Sequence, residues 1–281
     1  MVVTVANVKN VQPLVVLSIA GSDSGGGAGI QADLRTFAAL GVHGTTAVTA
    51  TTAQNTLGVH DVAAVSATHL RAQIECVLDD FVVAAVKTGM LATTELIGEV
   101  ATLAGEGRLP HLVVDPVFAS TSKHSLVADG GIAAYRSLLL PHAFVVTPNL
   151  REAALLLGID QQDIASVADM EQVGRTLRSF GAQNVLVKGG HLGDAGADHA
   201  PDVLVTAEGT HVFDGPRITT ANDHGTGCSL SAAICVHLAH GASLSDACRL
   251  AKAFVANALE GAATWQLGRG RGPLDHLGWA R

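Results

Sequence analysis

Asn222-Asp223-His224-Gly225-Thr226-Gly227-Cys228-Ser229-Leu230 is the stretch best suited to chemistry. Gly225 and Gly227 lack a Cβ, so their amides can come close to an anion. From Leu230 the apolar positions Ala233, Ile234 and Leu238 follow the spacing of one buried helical face, and Gly241 supplies the stop. The unpaired N–H groups and positive dipole end of such a helix make a phosphate site. Cys228 stands at that helix start, where a thiol pKa is expected to fall. A plain loop-to-helix junction would use the same residues, so both readings stay open at this point. Asp115, Asn149, Glu152 and Lys188 supply two carboxylates, an amide and a cation. Carboxylates and an amide can hold Mg²⁺ directly or through water. A lysine and helix-start amides can bind phosphates. Together these are the parts of a phosphoryl-transfer site: positioning, metal and charge stabilisation. Singly, each residue also suits a structural role.

The elements that must position them follow in order. Leu14 to Ala20 is a near-continuous apolar run, as expected of a strand buried on both faces of a parallel sheet. It ends in the loop Gly21-Ser-Asp-Ser-Gly-Gly-Gly-Ala-Gly29, and a helix with Ile30, Leu34, Phe37 and Ala38 on one face follows. Strand, glycine loop and helix make a ligand loop at the carboxyl edge of an α/β sheet. The loop is neither a P-loop nor a dinucleotide fingerprint. Asp33 early on that helix is either a partner for the helix dipole or an acceptor for a ligand amine or hydroxyl. Further strands are expected over Thr45–Ala53, Phe81–Lys87, Leu112–Val117, Ala143–Thr147 and Asn184–Lys188. Helices are expected from Ser66 to Leu78, Thr93 to Gly105, Gly130 to Leu140, Asn149 to Leu157, Asp169 to Phe180 and Ser243 to about Glu260. Val203–Thr206 and His211–Phe213 read as a hairpin around Glu208-Gly209, an antiparallel edge. The alternation predicts a mostly parallel, doubly wound α/β sheet. The polar residues above then gather at its carboxyl ends. No linker or repeat interrupts residues 1–281, which read as one domain with a flexible tail over residues 1–12. The closing Gly268-Arg-Gly-Arg-Gly-Pro273 reads as a flexible end.

Bulk properties narrow the function. Apolar residues make up 48% of the 281 and charged residues 15%, which suits a large buried core. The formal net charge of −8 speaks against a nucleic-acid or anionic-membrane surface. No apolar run approaches a membrane span, and the first residues carry no secretory signal pattern. Cys76, Cys228, Cys235 and Cys248 form no C-x-x-C pair and read as reduced thiols, so a cytoplasmic location is expected.

At these residues the chain resembles the hydroxymethylpyrimidine kinase/phosphomethylpyrimidine kinase family of thiamine biosynthesis. The motifs are Ala20-Gly-Ser-Asp-Ser-Gly-Gly-Gly-Ala-Gly-Ile-Gln-Ala-Asp33, Ala53-Gln-Asn-Thr56, Lys87-Thr-Gly-Met-Leu91, Val114-Asp-Pro-Val117, Thr147-Pro-Asn-Leu-Arg-Glu152, Val187-Lys-Gly-Gly-His191 and His224-Gly-Thr-Gly-Cys228. The resemblance implies a ribokinase-like three-layer αβα fold. It implies ATP and Mg²⁺ as cofactors and two successive phosphorylations of 4-amino-5-hydroxymethyl-2-methylpyrimidine. By resemblance, Gly21, Asp33, Gln54, Met90 and Val117 form the pyrimidine pocket. Thr147, Asn149, Lys188, Gly190 and Thr226 lie at the ATP, and Asp115 and Glu152 organise the metal. Gly225 and Gly227 form the anion hole, Lys188 faces the phosphates, and Cys228 is the base or the group nearest the substrate hydroxyl. The family also implies a homodimer. Two places depart from its pattern. The loop Phe118-Ala-Ser-Thr-Ser-Lys-His-Ser-Leu126 lacks the usual glycine and acidic residue, and Asp223 replaces a threonine. Asp223 is accordingly expected to help place the metal. Pyridoxal kinase and a non-catalytic pyrimidine-binding protein are the competing readings.

Overall fold

The computed structural model describes residues 12–118, 126–190, 192–193 and 198–280. The expected tail over residues 1–11, His191 and residues 119–125 of the unusual loop lie outside the described residues.

A nine-stranded sheet runs through the described residues. Its strands are β1 (Val15–Asp23), β2 (His43–Asn55), β3 (Gly58–Ala64), β4 (Val83–Thr88), β5 (Val113–Val114), β6 (Val145–Val146), β7 (Val185–Lys188), β8 (Asp202–Val205) and β9 (Thr210–Phe213). The spatial order is β3-β2-β1-β4-β5-β6-β7-β8-β9. The six from β2 to β7 pair in parallel, while β3, β8 and β9 pair antiparallel at the two edges. The expected hairpin is therefore present as β8 and β9. The strand β3 was not expected from sequence. Its residues are mostly exposed, so no apolar alternation marks it, and pairing with the long β2 supplies what its own pattern lacks.

Among the described residues eight α-helices cover the sheet: α1 (Gly29–Ala39), α2 (Ala67–Asp80), α3 (Thr94–Gly105), α4 (Gly131–Ala134), α5 (Leu150–Leu157), α6 (Val167–Ser179), α7 (Thr226–Ala239) and α8 (Leu244–Ala262). Strand residues alternate between two cores. Leu17, Val86, Val114, Val146 and Val187 point into one, with residues of α2, α3, α5 and α6. Val16, Ala85, Val113, Val145 and Leu186 point into the other, with residues of α1, α7 and α8. That period of two builds three layers from one sheet. Burying each such valine or leucine contributes about 1.5–3 kcal/mol.

Helix α7 differs from the single buried face its spacing suggested. Every residue from Ser229 to Val236 is buried. The helix lies against β1, β4 and β5 and between α1 and α8, so it has no solvent face to pattern. Its N-terminus is thereby fixed under the carboxyl edge of the central strands.

Candidate active site

Four of the parallel strands deliver a polar residue to the same edge. Gln54 is the last residue but one of β2, Asp115 follows β5, Asn149 follows β6, and Lys188 ends β7. A cavity of about 1020 Å³ opens there. Gly21, Gln54, Met90, Val117, Asp115, Asn149, Glu152, Lys188, Gly190, Gly225, Thr226, Gly227 and Cys228 all line it. The sequence reading put most of these at the carboxyl ends of the strands, and the structure brings them together around one cavity.

The centre is charged. Lys188 Nζ donates to Asp115 Oδ1 at 2.8 Å and lies 3.8 Å from Glu152 Oε2. Thr147 Oγ1 donates to Asp115 Oδ1 at 3.2 Å, and Ser231 Oγ to Oδ2 at 3.3 Å. Burial alone would raise Asp115, but the charges of Lys188 and Lys87 outweigh it and hold the carboxylate below its ordinary range. Burial likewise opposes the charge on Lys188, but Asp115 and Glu152 hold it firmly protonated. Asn149 and Glu152 open α5 with a capping box: Asn149 Oδ1 accepts Glu152 N–H at 2.9 Å, and Glu152 Oε2 accepts Asn149 N–H at 2.7 Å. Helix capping thus aims Glu152 at Lys188. A Cβ on Gly227 would sit 3.2 Å from Lys188 Nζ, so glycine lets the start of α7 approach the cation.

Burial, with Lys188 opposing and Asp115 adding, pushes Glu152 up to about 7 from an ordinary 4.5. Between those values the folded chain binds more protons here than the unfolded chain. Stability therefore falls as pH rises through that window, and the cost is fully present above it. Glu152→Gln keeps the capping box, because glutamine serves at the same helix position. At pH 8 its Tm is expected to exceed the parent's by about 2–4 °C, with the gap closing toward pH 4.5. A melt showing a lower Tm at pH 8 would contradict the placement of this carboxylate.

Three expectations are corrected. Asp33 does not line the cavity: it is fully buried, both carboxylate oxygens accept from Lys87 Nζ at 2.8 Å, and Ser18 Oγ donates to Oδ2 at 2.6 Å. It holds a buried lysine rather than a ligand. Thr147 is also fully buried and meets the site only through Asp115. Cys228, half-buried at the cavity wall, does not show the lowered thiol pKa expected of it. Burial outweighs Lys87 and pushes it up to about 11, against the fall expected of a helix start.

Asp223 and the tail change meaning together. Arg271 Nε donates to Asp223 Oδ1 at 2.6 Å, and its second nitrogen reaches Oδ2. Asp223 is thus engaged by Arg271, and the expected metal role has no support. The tail is docked, not loose. Arg269 and Gly270 N–H donate to Thr56 Oγ1, Arg271 N–H to Thr56 O, and Gly272 O accepts from His224 N–H. It straps the end of β2 to the loop before α7.

Sequence reading missed one wall of the cavity. Val212 and Phe213 of β9 line it, with Lys252, Ala256 and Leu259 of α8. The last three recur at 4 and 3 residues, a helical face that could have been read as facing a cleft. Lys252 Nζ donates to Asp202 Oδ2 at 2.6 Å, and Asp202 Oδ1 accepts Gly189 N–H at 3.0 Å, pinning the turn after Lys188.

Among the described residues no group of three or more His, Cys, Asp and Glu converges as a metal site, and no helix is long and apolar enough to cross a membrane.

A sequence model described as phosphomethylpyrimidine kinase matches residues 23–275. A hydroxymethylpyrimidine/phosphomethylpyrimidine kinase of Rhizobium meliloti is 47% identical over 264 residues, covering 94% of this chain and 97% of that protein. Among solved structures, a phosphomethylpyrimidine kinase from Clostridium difficile superposes with a TM-score of 0.76 at 39% identity, covering 88% of this chain and 99% of the other. A Bacillus subtilis pyridoxal kinase in an ADP complex superposes with a TM-score of 0.84 at 37% identity, covering 94% and 98%.

Proposed function

The chain belongs to the phosphomethylpyrimidine kinase family, and on that premise we propose a division of its cavity between two substrates. It is a small-molecule kinase of thiamine biosynthesis, acting on the hydroxymethylpyrimidine and its monophosphate. The observation that carries the division is the Asp115–Lys188–Glu152 cluster set against the amides that start α7. ATP is the phosphoryl donor. Its phosphates lie at Lys188, Asn149, Gly190 and Thr226, and its nucleoside runs along the wall of β9 and α8. The pyrimidine lies at Gly21, Gln54, Met90 and Val117.

Two carboxylates beside a lysine suit Mg²⁺, which keeps waters and takes its other ligands from phosphates. Asp115 and Glu152 would hold it. When bound, the ion neutralises charge on the transferring phosphoryl group. Lys188 adds a fixed cation there. The amides from Gly225 to Cys228 are donors that need no reorganisation as charge develops. The same amides can serve both phosphorylations if the acceptor oxygen is presented again at the same place.

Cys228 contacts the acceptor but does not take its proton as a thiolate, because a thiol near 11 stays protonated at neutral pH. Cys228→Ala is expected to lower kcat by less than about ten-fold, since a lost general base would cost roughly 10²–10⁴. A loss within that larger range, in a folded variant, would restore the base role.

One domain acting as a cytoplasmic homodimer completes the proposal. The pyridoxal kinase neighbour keeps pyridoxal as a second acceptor to test. ADP release with Mg-ATP is measured against hydroxymethylpyrimidine, its monophosphate and pyridoxal. Both pyrimidines are expected to outpace pyridoxal. Pyridoxal as the best acceptor would favour the second reading, and no turnover with any acceptor would favour a binding protein.

A further inference from the structure

Asp23 and His224 stand 201 residues apart and meet at the seam between the two glycine loops. Asp23 is 4% exposed at the end of β1. Its Oδ1 accepts Gly25 N–H at 2.8 Å, and its Oδ2 accepts Gly27 N–H at 3.0 Å and Ala28 N–H at 2.9 Å. Oδ2 also lies 3.0 Å from His224 Nε2. A carboxylate taking three amide protons is ionised and can only accept. His224 Nε2 must then carry a proton, because the other tautomer would set lone pair against lone pair.

The same Nε2 lies 3.1 Å from Gln54 Nε2. Two N–H groups do not bond to one another. A second conflict sits at the other end of that amide. Thr52 Oγ1 has one proton, yet both Ser22 O at 3.1 Å and Gln54 Oε1 at 3.3 Å are placed as its acceptors. Turning the Gln54 carboxamide over puts an acceptor against the His224 N–H and a donor against Thr52 Oγ1. Oε1 then shares the one Nε2 proton of His224 with Asp23 Oδ2 in a three-centre bond, and Nε2 donates to Thr52 Oγ1, whose own proton goes to Ser22 O. The second N–H of Gln54 is left for whatever occupies the cavity.

We infer that the Asp23–His224 pair fixes the orientation of the Gln54 carboxamide, making His224 a specificity-determining positioning residue. The inference rests on the reading that the pyrimidine lies at Gln54. A neutral diazine offers only acceptors on its ring nitrogens, and an N–H donor matches it. A protonated pyridine offers a donor at its ring nitrogen and meets that N–H badly. The packing holds the arrangement still: a Cβ on Gly27 would overlap the His224 ring, and one on Gly225 would overlap Gly27 O.

The test compares kcat/KM for hydroxymethylpyrimidine and pyridoxal in the parent, His224→Phe and Asp23→Asn. The asparagine variant's one oxygen is needed by the Gly27 and Ala28 amides, and it offers His224 no full negative charge, so the Nε2 tautomer and the amide orientation it sets are no longer enforced. In both variants the preference for the pyrimidine over pyridoxal is expected to fall on the order of ten-fold, while the KM for ATP stays within about two-fold. ¹⁵N NMR of the parent imidazole is expected to show a protonated Nε2, a readout independent of activity. A bare Nε2, or an unchanged preference in folded Asp23→Asn, would overturn the inference. Gln54→Ala separates the two levels. An unchanged pyrimidine KM there would remove the pyrimidine from Gln54 and the inference with it. A raised KM there with unchanged preference in the other variants would overturn the inference alone.

Discussion

Lys188→Met is expected to lower kcat by about 10²–10³ and to destabilise the fold at neutral pH. Lys188 is the cation that separates Asp115 from Glu152, at 2.8 and 3.8 Å. It is only 12% exposed, and Asp115 is 2% exposed, so solvent screens the cluster little. Methionine fills similar volume and removes the charge. Breaking a buried pair by deleting one partner costs about 3–5 kcal/mol, because the remaining charge is left unpaired. Asp115 should then lose the influence that holds it below its ordinary range, and Glu152 should titrate higher still. Steady-state kinetics and a thermal melt on the same preparation check both effects. A variant with parent-like kcat would show that the phosphates do not lie at Lys188.

Gly225→Val is expected to abolish measurable turnover, a loss of more than about 10³, as several aligned donors move together and each contributes on the order of 10²–10³. Gly225 has φ +89° and stands immediately before α7. A side chain there is strained by the backbone alone and would also overlap the carbonyl of Gly27. That obstacle is backbone, so no rotamer change relieves it. The loop must shift, and the amides that start α7 shift with it. Most of α7 is buried between the sheet and its neighbours, so the helix body stays and the damage concentrates at its first turn. Calorimetry with a non-hydrolysable ATP analogue should show weakened binding, while circular dichroism stays near the parent's. Retained turnover in a folded variant would contradict the anion-hole assignment.

Much of this was legible in the sequence because it depends on local pattern. Apolar runs ending in Asp115, Pro148-Asn149 and Lys188 mark strands of a parallel sheet, and topology brings their ends together. What sequence could not give was depth. Asp33 and Gln54 sit in similar motif contexts, yet one is sealed against Lys87 and the other faces the cavity. Cys228 shows the same limit. Its helix-start position argues for a low pKa, but burial decides the sign. The tail read as loose because glycine and arginine carry no periodicity, and its partners, Thr56 and Asp223, are far away in the chain. Strand β3 was missed for the same reason, since its pairing with β2 outweighs a weak pattern.

The central claim is that one cavity passes phosphate from ATP to a pyrimidine and then to its monophosphate. It is tested most directly by following a single reaction of the protein, Mg-ATP and hydroxymethylpyrimidine by ³¹P NMR. The account predicts that a pyrimidine monophosphate signal rises first and is then consumed as the diphosphate appears, with ATP converted to ADP in step. ATP and pyrimidine that persist unchanged, while pyridoxal in a parallel sample is phosphorylated, would contradict it.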